Sequence, residues 1–133
     1  MRVAAVVLGA AEPLALAAFY ERLLGWTIVQ QDGARPGFPP GDGYALLRPS
    51  SPDGLRGLAV QWEPDYEPPA WPPVAGRQQM MLHLDVAVDD LDAAVSWALA
   101  AGATLAEHQP QEQVRVMLDP AGHPFCFFPG PVD

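Results

Sequence analysis

The 133-residue chain has one cysteine, few basic residues and no long apolar run. The single thiol, Cys126, excludes an internal disulfide and gives no sign of an oxidising compartment. Seven Lys and Arg residues stand against sixteen Asp and Glu, a formal charge of −9. The basic residues are scattered along the chain, and the acidic balance argues against the clustered positive surface that nucleic acid requires. No stretch approaches the ~20 apolar residues of a membrane span. The apolar first ten residues run straight into a helical pattern, without the separable cleavage site of a secretory signal. These absences point to a cytoplasmic protein without nucleic-acid or membrane partners. Gly-rich phosphate loops, nucleophile elbows and zinc-spaced Cys pairs are also missing.

What is present is a globular balance, 50% apolar and 17% charged, in a length suited to one domain, 1–133. The chain also repeats itself. A strand at 3–8 leads into a helix that enters at Pro13, presents Leu16, Phe19 or Tyr20, and Leu23, and closes at Gly25. A strand at 80–88 leads into a helix capped by Asp89 or Asp90, with a stripe of Leu91, Val95, Ala98 and Leu99, closing at Gly102. Leu14 and Leu91, Ala18 and Val95, and Gly25 and Gly102 keep one constant offset, the signature of an internal duplication.

Further strands are expected at 26–30, 44–48 and 58–63, then at 104–106, 114–118 and 125–128. Residues 32–43 read as a Gly/Pro-rich loop, 49–54 as a turn, and 119–122 as a type I turn. Each half is strand, helix, then three strands, and one helix cannot cover a half's sheet. The pattern therefore predicts an α+β domain in which two βαβββ modules pair into an eight-stranded, cup-shaped sheet with helices on its convex side. Module one spans 1–63, a proline-rich linker 64–79, and module two 80–133. In the linker, Tyr66 and Trp71 either stiffen the prolines or cover a ligand.

LAAFYERLLGW in the first half, MLHLDVAVDDLDAAVSWALAAGA in the second, and VMLDPAGHPFCFFPG at the end carry a family likeness. The chain resembles the glyoxalase-like and bleomycin-resistance-like proteins of the vicinal-oxygen-chelate superfamily. That resemblance implies paired βαβββ modules, a cup between them and a homodimer. Its activities range from metal-dependent lyases, isomerases and dioxygenases to metal-free binding proteins.

In metal-using members the first and last strands of each module supply ligands, usually His and Glu. By the resemblance His83 stands at such a position, while its first-half equivalent is Ala5, or Val6 in a shifted register. Gln61 and Glu63 occupy the last strand of module one, and Cys126 stands where the family pattern has Glu. This set suits a divalent ion poorly, so no metal is expected. His83 is the candidate catalytic group, as a general acid or base, with Asp85 on its face to orient it. Cys126 is read as a small buried group unless a neighbour depresses its pKa. His108 and His123 are read as structural or exposed.

On strand parity, Val114, Val116 and Leu118 should meet the helix, leaving Arg115 and Met117 to face the cup. The expected lining is then Gln61, Glu63, His83, Asp85, Arg115, Met117, Cys126 and Phe128, with Arg115 paired to a ligand or internally to Glu63 or Asp85. The function expected is binding of a small organic, partly aromatic molecule without metal. The alternative is a metal-dependent lyase or dioxygenase using His83.

Overall fold

A computed structural model describes residues 1–52 and 54–131. Asp53, part of the turn expected at 49–54, lies outside the described residues, as do Val132 and Asp133. The chain divides into two compact units, Met1–Tyr66 and Glu67–Asp133. The first runs β1 (Val6–Ala10), α1 (Pro13–Leu24), β2 (Thr27–Asp32), β3 (Tyr44–Arg48) and β4 (Leu58–Trp62). The second runs β5 (Leu84–Val88), α2 (Leu91–Ala101), β6 (Thr104–Leu105), β7 (Arg115–Leu118) and β8 (Pro124–Pro129). Both are βαβββ modules of an α+β fold, each with one four-stranded sheet. Their strand orders are β1-β4-β3-β2 and β5-β8-β7-β6.

Helix ends follow local chemistry. At α1, Pro13 occupies the first turn, where its missing N–H has no partner to lose. Gly25 closes α1 in the left-handed region, φ 66°, its N–H reaching the Glu21 carbonyl. At α2 the Asp90 carboxylate accepts the Ala93 N–H at 2.9 Å, and Gly102, φ 119°, ends the helix. The caps Glu12 and Asp90 precede helices of 12 and 11 residues. The constant offset from Leu14 and Leu91 to Gly25 and Gly102 runs unbroken through both helices; α2 starts one residue later and is one residue shorter than α1.

Strand limits are set by partners. β1 starts at Val6 because its parallel neighbour β4 starts opposite at Leu58. β5 likewise starts at Leu84, opposite Phe125 of β8, so residues 80–83 precede the sheet.

In the first unit, α1 buries Leu16, Phe19, Tyr20 and Leu23 against a sheet face carrying Leu8, Ala45, Leu47, Leu58 and Val60. In the second, α2 buries Ala98 and Ala101. Leu99, expected in that stripe, is 48% exposed, because Ala98 and Ala101 already define the inward line at i and i+3.

Residues 67–79, read as a linker, fold within the second unit. Arg77 Nε bonds Glu67 Oε1 at 2.8 Å, and the Ala70 N–H bonds the Gln78 carbonyl at 2.9 Å. Trp71 Nε1 donates to the His108 carbonyl at 3.1 Å. Among the described residues, no helix is long and apolar enough to cross a membrane.

Candidate functional site

Residues paired across a ladder point to the same face of a sheet, so register decides which side chains can meet. In the second unit Leu84 pairs with Phe125 and Val86 with Phe127. On the other side of β8, Met117 pairs with Phe125 and Arg115 with Phe127. Phe125, Phe127 and Met117 are all buried, and α2 packs on β7 and β8. This is the helix-facing side. The opposite side carries Asp85, Cys126 and Val116, with Ala87 paired to Phe128.

The expectation for Arg115 and Met117 is thus reversed. Met117, 0% exposed, is a core side chain. Arg115 donates through Nη1 to the carbonyls of Glu112 at 2.8 Å and Val114 at 3.0 Å, not to Glu63 or Asp85. The alternation of Val114, Val116 and Leu118 does not set which side meets the helix. The bulk of Phe125 and Phe127 on β8 decides the side instead.

His83, Asp85 and Cys126 do come together. His83 Nε2 stands 3.1 Å from Asp85 Oδ1, and one donor atom from each of the three lies within 4.8 Å of the others. Burial, helped by the Asp85 charge, pushes the Cys126 thiol above its ordinary range. A raised pKa keeps the sulfur as a neutral thiol, the opposite of what an activated nucleophile needs. The condition for a reactive Cys126, a neighbour that depresses its pKa, is not met.

The same three groups are the ones a divalent ion would use. Among the described residues they form a set of three donors, imidazole, carboxylate and thiol, drawn from the second unit alone. Ala5 precedes β1 as His83 precedes β5 and has no donor atom.

The other two histidines have structural roles. His123 Nδ1 lies 2.7 Å from Asp119 Oδ2. The other Asp119 oxygen accepts the N–H groups of Ala121 and His123, both at 2.9 Å, which fixes the turn before β8. His108 packs its ring 5.8 Å from that of Trp71.

In the first unit the face opposite α1 carries Gly9, Gln61, Tyr44 and Asp32, linked by the pairings Gly9 with Gln61, Tyr44 with Gln61, and Asp32 with Tyr44. Gln61 Nε2 donates to Glu63 Oε1 at 2.8 Å, joining the two residues expected there. Glu63 folds over Gly9, where a Cβ would stand 2.5 Å from the Glu63 Cγ; glycine makes the crossing possible.

Beside these groups lies a cavity of about 560 Å³, bounded by Asp32, Tyr44, Gln61 and Trp62 and by the Gly33–Gly43 loop with Arg35 and Asp42. The loop is built around one buried acid. Asp42 is 3% exposed and accepts from Arg35 Nε and Nη2, each at 2.9 Å, and from the Arg35 backbone N–H at 2.8 Å. The guanidinium holds the Asp42 carboxyl below its usual range. Its other surface covers Phe38, with Cζ 3.9 Å from the ring centre. Phe38 in turn meets Trp62 edge to face at 6.1 Å. Of the expected lining residues only Gln61 borders this cavity. Asp32, Arg35, Asp42, Tyr44 and Trp62 were missed. The sequence signal was an Arg, an Asp and a Phe inside an otherwise small-residue loop.

Known proteins then give the family. The sequence profile described as the glyoxalase-like domain matches residues 5–128. The chain belongs to the glyoxalase-like family. It is thereby a member of the vicinal-oxygen-chelate superfamily. No curated protein sequence matches this glyoxalase-like chain.

Among solved structures, it is similar to a glyoxalase family protein from Enterococcus faecalis, with a TM-score of 0.66 and 18% identity over 96% of each chain. It is also similar to a mutant of the fosfomycin resistance protein FosX from Listeria monocytogenes, solved with Mn(II) and 1S,2S-dihydroxypropylphosphonic acid. That match has a TM-score of 0.70 and 11% identity, over 98% of this chain and 94% of the other. A glyoxalase/bleomycin resistance protein/dioxygenase family enzyme from Burkholderia phytofirmans PsJN matches with a TM-score of 0.60 and 18% identity, over 93% and 94%. At these identities the likeness establishes the fold.

Proposed function

We propose that the protein binds a small organic, partly aromatic molecule in the first unit's cavity, and that it does so without a metal. The observation carrying this reading is the cavity itself, about 560 Å³, within the size range of small-molecule sites. Tyr44 and Trp62 offer ring surface, while Asp32 and Gln61 offer polar groups that fix orientation. The Arg35–Asp42 pair holds the covering loop before a ligand arrives, which lowers the ordering cost of binding. Binding takes precedence over catalysis in this reading. General acid–base chemistry, if the protein has any, is assigned to His83 beside Asp85 in the second unit, and binding in the first unit's cavity does not depend on it. The protein is proposed to act as a cytoplasmic homodimer, as the family resemblance suggests.

Native mass spectrometry of freshly purified protein tests the reading by reporting subunit number, metal and retained small molecules together. The expected result is a dimer without stoichiometric metal, carrying an organic ligand that Tyr44→Ala or Gln61→Ala releases. A chelator should leave the melting temperature unchanged. A drop of several degrees with chelator, or stoichiometric metal lost in His83→Ala, overturns it in favour of a metal-dependent lyase or dioxygenase.

A further inference from the structure

A second cavity of the first unit, about 290 Å³, lies between the segment preceding β1 and the turn after β3. Arg2, Arg48 and Arg56 line it, beside Ser50. Every basic side chain of this chain is an arginine, and three of the seven meet here in a protein of charge −9. Among the described residues, no acidic one lines it.

Arg48 is held in place by the backbone. Its Nη1 donates to the Ala4 carbonyl at 3.2 Å and to the Arg56 carbonyl at 2.9 Å. Gly57 makes this possible: a Cβ there would come within 3.0 Å of the Ala4 oxygen and 3.2 Å of Arg48 Nη1. The two carbonyls take one nitrogen of the fork, so Nε and Nη2 remain as donors with no acceptor among the described residues. Arg2 and Arg56 are exposed and, among the described residues, make no side-chain hydrogen bond or ion pair. Three cations that line one cavity with no acidic partner among the described residues repel one another, and an anion relieves this.

We propose that this cavity binds a phosphate-bearing small molecule, with its phosphoryl group held by Arg2, Arg48 and Arg56. Guanidinium forks pair with carboxylate and phosphate alike. Three of them lining one small cavity suit a tetrahedral dianion with three acceptor oxygens better than a planar monoanion. The space left around the phosphoryl group takes a small organic part. This site is separate from the proposed ligand cavity and stands whether or not that reading holds.

Amide NMR titrations at constant ionic strength test it, using inorganic phosphate, phenyl phosphate and acetate, with chloride as the control. Saturable shifts are expected at Ser50, Arg56 and Gly57. Phenyl phosphate should bind at least as tightly as inorganic phosphate, and both at least tenfold more tightly than acetate. The double variant Arg2→Ala, Arg56→Ala removes only exposed side chains and should weaken phosphate binding at least tenfold while leaving the rest of the spectrum in place. Arg48 stays unchanged because its bonds hold the backbone. The proposal is overturned if shifts are unsaturable, equal with chloride or acetate, or undiminished in the double variant. Binding of inorganic phosphate without phenyl phosphate would exclude the organic ligand.

Discussion

α1 and α2 occupy the same place in their modules, yet α1 buries six side chains including Phe19 and Tyr20, and α2 buries two alanines. α2 leaves Trp97 61% exposed where α1 has a closed apolar face. The groups that border each module's candidate site differ too. In the first unit a pinned loop and two aromatic rings border a cavity; in the second an imidazole, a carboxylate and a thiol cluster. A shared backbone plan constrains which positions face which way, and leaves each copy's chemistry to its own side chains.

The largest test of this contrast is in the helices. Phe19→Ala should cost about 3–5 kcal/mol in urea unfolding, through lost burial and the cavity left behind. Leu99→Ala on the solvent side of α2 should stay within about 0.5 kcal/mol. Equal losses would show that the burial difference is not an energetic one.

Asp42→Asn comes next, since it removes the acid around which the Gly33–Gly43 loop is built. The folded carboxyl is depressed by the Arg35 hydrogen bond. Its stabilisation is therefore complete above the unfolded value of about 3.9 and is lost as pH falls through the lower folded value. The melting-temperature gap between the variant and the parent should be widest near neutral pH and close in acid. A gap that stays constant across that range would remove the ion pair as its cause.

A smaller difference separates the helix starts. Asp90→Ala should cost about 1 kcal/mol, because its carboxylate accepts the Ala93 N–H. Glu12→Ala should change little, since Glu12 makes no side-chain cap bond. Thermal unfolding of the two variants side by side checks this.

The smallest effect concerns Asp85→Asn. Removing that charge eliminates the lesser of two causes holding the Cys126 thiol up, leaving burial. Alkylation of Cys126 at mildly alkaline pH should speed up by less than about tenfold. Unchanged or slower alkylation would show that Asp85 exerts no such influence.

Much of the fold was legible in sequence because it rests on local chemistry. Pro13, Gly25, Asp90 and Gly102 mark helix ends through backbone conformation alone, and Tyr44–Arg48 matches its expected limits. The starts of β1 and β5 were not, because they depend on where Leu58 and Phe125 lie in neighbouring strands. The sidedness of β7 failed because Met117 takes its side from its ladder partner Phe125, which the alternation within 114–118 does not reveal. At the candidate site, two-residue spacings brought Gln61 to Glu63 and His83 to Asp85. The Arg35–Asp42 pairing was invisible because no periodicity links two charges within a Gly/Pro loop.

In each sheet the opening strand has a single neighbour, and that neighbour is the module's closing strand. A nascent or truncated chain that stops before Leu58 leaves Val6–Ala10 with no ladder to join, however much of the module precedes the cut. Shortening from the C-terminus should therefore act in two steps rather than gradually: one collapse as β8 is removed and a second as β4 is removed.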